Sequence, residues 1–350
     1  MSPVLATPLL IAICSLAAYA AIWIGLPLPY LLGPLMASAV ISLTAKAHLP
    51  DEFAYLDGLR FVFIAVIGVL IGAQVTPDLF ADAHHLALSL AALVGFVGLS
   101  VAINYTVFRK LGRYDPATAF YSSMPGGLYE SIAFGEQAGA DLSRLMLQQF
   151  LRVIVVVTLV PIGLSLWLGA PVGSAGGMTL ARPDVPWHAL PVAGGAILAG
   201  IALGHLLRMP AKQLTGPMAV GAALSLTGLI DLDIPQWLIN LAQIVVGTAL
   251  GTRFRGVTGG KIAQAAGLSL LSVGAMLVLS AAIAWLLTTL TGQSFDLLLI
   301  SFAPGGVTEM TLIALSLTGN PAIVTLHHIC RILITVVLLV SSAGWLRRRL

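Results

Sequence analysis

The stretch Tyr121-Ser122-Ser123-Met124-Pro125-Gly126-Gly127-Leu128-Tyr129-Glu130 recurs 179 positions later as Ile300-Ser301-Phe302-Ala303-Pro304-Gly305-Gly306-Val307-Thr308-Glu309. The same offset carries Arg152 onto Arg331, and Gly68 and Gly72 onto Gly247 and Gly251. Matches at one offset mark duplication of a unit of about half the chain. Both copies set a helix-breaking Pro-Gly-Gly, an acid and an arginine inside apolar sequence, which narrows the folds such a chain can adopt.

Residues are 58% hydrophobic and 9% charged. A soluble domain carries about 25% charge. The chain is therefore expected to be an all-α polytopic membrane protein. The net charge of +3 says little about nucleic acid, because in a membrane protein the placement of Lys and Arg matters more than their sum. Cys14 and Cys330 lie in apolar runs and read as buried free thiols. The N-terminal run has no basic region and no small-residue cleavage site, so it reads as a first span.

Apolar runs of spanning or near-spanning length cover 4–24, 30–45, 59–75, 86–108 and 145–168, then 189–207, 214–230, 237–251, 262–291 and 322–345. That makes about 10 transmembrane helices, the shortest being 30–45 and 237–251. Two segments remain, 115–140 and 295–320, each with two short helical pieces around its Pro-Gly-Gly. Either segment could cross once as a broken helix or return as a re-entrant hairpin. Charge favours two hairpins. With the N-terminus inside, Lys46, Arg60, Arg109, Lys110, Arg113, Arg144, Arg208, Lys212, Arg253, Arg255, Lys261, Arg347, Arg348 and Arg349 then fall on the cytoplasmic side. Arg182 falls outside, with Asp78, Asp82, Asp184, Asp231, Asp233 and Asp296. That is a positive-inside distribution. Repeat 1 (1–170) and repeat 2 (188–350) then each have five crossings plus a hairpin, an inverted-topology repeat joined by an external linker, 171–187.

The breaks are the first candidate site: Ser122, Pro125, Gly126 and Gly127, with Ser301, Pro304, Gly305 and Gly306. Non-helical backbone at membrane depth is tolerated only where protein buries it or water reaches it. Helices starting after Gly127 and Gly306 would aim free N–H groups at an anion. The plainer reading is a kink with no ligand. Arg152 and Arg331 fall near the bilayer middle, where an Arg needs a partner or an aqueous cavity. They read either as a bidentate clamp on a carboxylate or as ion pairs with Glu130 and Glu309. Those acids read as dipole compensation or as proton carriers. His327 and His328 stand where the first half has Gln148 and Gln149, so one half holds titrating groups; polar packing is the plainer account. The paired glycines at 68, 72, 247 and 251 read as close helix packing.

No HExxH, CxxC, Walker A or GxSxG pattern occurs, neighbouring histidines make a poor metal pair, and nothing reads as a recognition helix. The expectations are no metal, no cofactor, no enzyme activity and no nucleic acid. The Gly33-Pro34 and Gly216-Pro217 pairs, the double Pro-Gly-Gly-x-x-Glu and the Arg-bearing spans resemble the bacterial membrane AbrB family, built of two duplicated segments. The resemblance covers nearly the whole chain. Members inherit the labels ammonia monooxygenase and regulator of gene expression, and a soluble DNA-binding regulator shares the name. The residues support neither mechanism, lacking a copper-type His cluster and a DNA-binding module. The arrangement is also similar to carriers with inverted repeats and paired hairpins, such as the 2-hydroxycarboxylate transporters, where tips and arginines hold a substrate carboxylate.

The leading expectation is a secondary transporter for a small anionic, carboxylate-type solute, working by alternating access with proton or Na+ coupling. Glu130, Glu309, His327 and His328 are the coupling candidates. A membrane-embedded regulator or sensor acting through a protein partner is the alternative, and a membrane monooxygenase ranks below it. The chain is expected in the bacterial inner membrane, multi-pass, with both termini cytoplasmic; a homodimer is an open expectation.

Overall fold

The computed structural model describes residues 3–44, 54–73, 75, 83–169, 172, 189–209, 211–227, 234–255, 259–315, 317 and 321–346. The expected linker 171–187, apart from Val172, lies outside them. So do Lys46, Asp78, Asp82, Arg182, Asp184, Asp231, Asp233, Arg347, Arg348 and Arg349.

The described residues form helices and no strand. The first half runs α1 (Pro3–Trp23), α2 (Pro29–Thr44), α3 (Ala54–Gly72), α4 (Ala83–Thr106), α5 (Pro116–Ser122), α6 (Leu128–Gln137) and α7 (Leu142–Leu168). The second runs α8 (Ala189–Leu206), α9 (Lys212–Thr227), α10 (Gln236–Gly251), α11 (Gly259–Thr291), α12 (Phe295–Phe302), α13 (Val307–Leu315) and α14 (Pro321–Leu346). A π-helical turn, Val107–Leu111, extends α4. Five stretches are long and apolar enough to cross a bilayer: Ala6–Trp23, His84–Leu111, Leu142–Leu168, Ala263–Thr291 and Pro321–Ser342. Shorter apolar helices are Pro29–Thr44, Gly58–Gly72, Leu190–Leu206 and Gln236–Gly251. Helices suit this composition because each satisfies its own backbone polar groups, as hydrocarbon demands. The protein is an all-α polytopic membrane protein.

The chain divides into two compact units, and each draws on both halves of the sequence. Unit 1 comprises Met1–Leu79, Val160–Thr258 and Thr311–Ala322; unit 2 comprises Phe80–Leu159, Gly259–Met310 and Ile323–Leu350.

Unit 1 is held by backbone approach at small residues. Lipid tails are as apolar as leucine, so burial alone drives little association and close packing must supply it. A Cβ on Gly68 would run into the Leu214 carbonyl, and one on Gly72 into that of Met218. In the other half, a Cβ on Gly247 would meet the Leu31 carbonyl and one on Gly251 that of Leu35. Thus α3 packs on α9 as α10 packs on α2, an exchange of partners between repeats. Leu31 and Leu214, like Leu35 and Met218, stand 183 positions apart, as do Ala17 and Gly200, which face Gly33 and Gly216. The first two helices of each half therefore correspond at 183, not at the 179 that holds from α3 onward. The difference lies between α2 and α3, where repeat 1 is the longer.

Unit 2 has an aromatic and aliphatic core. Leu93, Phe96 and Val97 of α4 pack with Ala284 and Leu287 of α11 and with Leu298 and Phe302 of α12. The Phe96 and Phe302 rings meet edge to face at 5.6 Å. A second cluster joins Val101 of α4, Ala117 and Tyr121 of α5, Met124 just beyond α5, Leu145 of α7 and Leu339 of α14.

The first broken segment doubles back. Asp115 caps α5 by accepting from Thr118 N–H at 2.9 Å, with Pro116 at the first helical position. At the exit, Asp141 N–H donates to Thr118 Oγ1 at 2.7 Å, tying the end of the segment to its start. Between these, a Cβ on Gly135 of α6 would lie 3.5 Å from the Tyr121 ring of α5. Residues 115–140 therefore form a hairpin whose ends lie side by side.

Candidate functional site

A helix leaves its last four carbonyls without intrahelical partners. Where α5 and α12 stop at the breaks, those carbonyls are buried and need donors. Side chains supply them in both halves. At the first break, Gln149 Nε2 donates to Tyr121 O at 3.0 Å and Asn104 Nδ2 donates to Ser123 O at 3.4 Å. Arg152 Nη1 donates to Met124 O. At the second, His328 Nε2 donates to Ile300 O at 3.0 Å and Ser280 Oγ to Phe302 O at 3.1 Å. Arg331 donates from Nη1 to Ala303 O and from Nη2 to Gly305 O. The pairs 149 with 121 and 152 with 124 map onto 328 with 300 and 331 with 303 at the 179 offset. Each long helix thus grips its short arm at two positions three residues apart, which share a helix face.

These bonds give the two arginines a role that sequence reasoning did not consider. Their guanidinium groups bind carbonyls of the breaks and oppose the negative end of each first arm. Arg331 is 1% exposed and heads the fully buried side chains by size; Arg152 is 7% exposed. Each guanidinium carries five N–H donors, so carbonyl binding leaves several free.

The second arms begin in opposite polarity. Gly127 precedes α6 in left-handed backbone, φ 59°, which a residue with a Cβ adopts only at a cost. The Glu130 carboxylate turns back over it, with Oε2 3.3 Å from where a Cβ would stand. Glu309 does the same over Gly306, its Oε2 filling the space a Cβ would take. An acid in the third helical position folded toward the residue before the helix is capping-box geometry. It places a carboxyl group at the positive end of each second arm.

The two breaks meet at Arg331. A Cβ on Gly126 would lie 3.2 Å from Thr335 Oγ1, 3.5 Å from Ile332 Cα and 3.7 Å from Arg331 O. The tip of the first break therefore rests on the turn of α14 whose arginine holds the second. Arg152 is close enough for its charge to act on that of Arg331. Several buried polar atoms here have no hydrogen-bond partner: Ser122 Oγ, Ser131 Oγ, Gln149 Oε1, Arg152 Nε, His328 Nδ1 and Arg331 Nε. They offer both donors and acceptors in a setting where unmet polar groups are costly.

Every site and coupling candidate from the sequence falls in unit 2. Pro125 and Pro304 are buried at the breaks. Ser301 Oγ donates to Leu297 O of its own helix at 2.8 Å, so it differs from Ser122. His327 Nδ1 lies 2.9 Å from Ile323 O and its Nε2 3.0 Å from Ser89 Oγ on α4. In the first half, Ser269 Oγ on α11 donates to Gln148 Oε1 at 2.6 Å, the corresponding exchange between repeats. Among the described residues, no three His, Cys, Asp or Glu side chains gather as a metal-holding group.

Sequence reasoning passed over Asn104, Ser280 and Thr335, and named Gln149 only as the counterpart of His328 at the 179 offset. Asn104 was legible as a lone amide inside an apolar run; Ser272 Oγ fixes it, donating to Asn104 Oδ1 at 2.7 Å.

The family model described as "Transition state regulatory protein AbrB" matches residues 45–347. The chain belongs to the AbrB family. It is similar to the "Putative regulator AbrB" of Escherichia coli (strain K12), 26% identical over 325 residues, 92% of this chain and 91% of that one. It is also similar to the "Uncharacterized protein YhjN" of Bacillus subtilis (strain 168), 24% identical over 340 residues, 90% and 86% of the two chains. The AbrB-family match takes in both breaks and both arginines, and these relatives match over nearly their whole length.

Proposed function

We propose that this AbrB-family membrane protein is a secondary transporter for a small anionic, carboxylate-type solute. The observation that carries the reading is the meeting of the two breaks at Arg331. There, two buried guanidinium groups with unused donors face broken backbone and unpartnered polar atoms. Two positive charges in such a setting favour an anion between them, and an arginine fork suits a carboxylate. The solute site lies in unit 2, which is the moving body in alternating access, and proton or Na+ coupling drives accumulation. Unit 1, closely packed at its glycines, is the fixed scaffold.

The protein sits in the bacterial inner membrane with both termini cytoplasmic. The positive-inside distribution supports this orientation. Single cysteines at Ser2, Ser174 and Leu350 in a cysteine-free background test it. Ser174→Cys reacts with an impermeant thiol reagent in intact cells, and the other two react only after permeabilisation.

The names of the family and of the Escherichia coli relative favour a second reading, a membrane regulator working through a protein partner. Flux of radiolabelled dicarboxylates and monocarboxylates into proteoliposomes separates the two. Uptake above that of protein-free vesicles, abolished by Gly126→Val, is the expected result. A full carboxylate panel without uptake overturns the transporter reading.

A further inference from the structure

His328 and Gln149 are equivalent, yet only one of them can carry a proton. A carbonyl oxygen only accepts, so the 3.0 Å contact of His328 Nε2 with Ile300 O fixes the proton of the neutral ring on Nε2. That leaves Nδ1 as a bare acceptor, buried and without a partner. His327 is placed differently. Its Nδ1 donates to Ile323 O, and its Nε2 lies against Ser89 Oγ, whose hydroxyl is also 2.9 Å from Leu86 O. Turning that one hydroxyl suits His327 either neutral or protonated, so its protonation needs no solute. A proton on His328 Nδ1, by contrast, would point at no acceptor among the described residues and would stand one turn from Arg331. An anion beside Arg331 supplies the acceptor and offsets the second positive charge. Among the described residues, the titratable and charged groups that act on His328 are His327 and Arg331 on α14, with Arg152 on α7 acting on Arg331. The acids of the second arms, Glu130 and Glu309, turn back over Gly127 and Gly306.

We infer that His328, and not His327, Glu130 or Glu309, is the coupling group, and that the carrier takes up one proton on Nδ1 with each anion it binds, making it a proton–anion symporter whose proton site lies in the second repeat alone. This rests on the carrier reading given above. Anion binding and protonation are then linked. Above neutral pH, the apparent affinity for an anion falls by about tenfold per pH unit.

The test uses the full-length protein in lipid nanodiscs with succinate, acetate and citrate as probes. Binding is followed by calorimetry between pH 6 and 9, and proton uptake with an indicator dye in weak buffer, on the order of 1 mM. Wild type and His327→Gln are expected to take up close to one proton per anion bound and to lose affinity as pH rises. His328→Gln, which keeps a donor for Ile300 O, is expected to bind with no proton uptake and a flat pH profile. Histidine 15N spectra give a readout free of solute: His328 should show the Nε2–H tautomer at neutral pH without anion and titrate only with it. Unchanged proton uptake in His328→Gln, or its loss in His327→Gln, overturns the assignment. Anion binding by wild type without proton uptake overturns the coupling and leaves the carrier reading standing. Failure of every probe to bind wild type overturns the anion site and the coupling together.

Discussion

Gln149 and His328 make the same bond in opposite halves of the protein: each donates its Nε2 hydrogen, at 3.0 Å, to the carbonyl freed where a short helix ends, Tyr121 O or Ile300 O. The equivalence predicts that they can be exchanged. Gln149→His and His328→Gln should each change stability by less than about 1 kcal/mol, since the donor is kept in a similar volume. Gln149→Leu and His328→Leu should each cost about 1–3 kcal/mol, the penalty of stranding a buried carbonyl. Thermal unfolding in detergent measures both pairs.

Arg331 holds two carbonyls and Arg152 one. Arg331→Ala should therefore lower the unfolding midpoint further than Arg152→Ala, with about 1–3 kcal/mol for each carbonyl stranded. If the arginines chiefly serve the breaks, adding Glu309→Gln or Glu130→Gln restores nothing, because the lost partner is a carbonyl. Recovery in the double variants would show ion pairing to be the dominant role. Arg331→Lys should keep part of the stability, since an ammonium reaches one carbonyl but lacks the planar fork.

Gly127 and Gly126 should fail for different reasons. Gly127→Ala is strained by its left-handed backbone whatever space surrounds it, at about 1–2 kcal/mol. Gly126→Ala meets Thr335 Oγ1 at 3.2 Å, a contact that a small shift relieves. Pairing it with Thr335→Ala should return the midpoint toward wild type, while no change at Thr335 should rescue Gly127→Ala. Equal rescue of both would show that space, and not φ, limits position 127.

In unit 1 the neighbours of Gly68 and Gly247 are main-chain carbonyls, which cannot swing aside as a side chain can. Gly68→Val and Gly247→Val should both reduce the monodisperse fraction on size exclusion and lower thermal stability, by amounts alike in the two repeats. Gly95, where a Cβ meets nothing within 4 Å, is the control, and Gly95→Ala should be neutral or slightly stabilising.

Asp115 gives a pH dependence outside the spans. Partial burial alone would raise its pKa, but hydrogen bonds from the Thr118 side chain and backbone and from nearby N–H groups outweigh that and hold the carboxyl below its ordinary value. A group with a lowered folded value contributes stability that is complete above the unfolded carboxyl pKa, near 3.9, and is lost as pH falls through the folded value. Wild type should lose stability below about pH 4 more steeply than Asp115→Asn, and the two should lie close together at about pH 2. Asp115→Ala should cost about 1 kcal/mol at neutral pH. Parallel curves for wild type and Asp115→Asn would show that the cap does not titrate with folding.

Much of this architecture is legible from sequence alone, because its signals are local or repeat at a fixed distance. Low charge and long apolar runs require helices in lipid, since no other open structure satisfies its own backbone there. Pro-Gly-Gly inside such runs requires a break wherever it falls, and the 179 offset pairs Arg152 with Arg331 before any coordinate is known. Tertiary structure decided what those residues touch. An arginine, a carbonyl and a carboxylate can be matched in several ways within apolar sequence, and only packing shows that Arg331 binds Ala303 O and Gly305 O. Packing likewise gathers both breaks into one unit and pairs α3 with α9 and α10 with α2. Such contacts join residues far apart in the chain, and they depend on which helix faces approach. That is a property of the folded surfaces, which the spacing of residues along the chain does not encode.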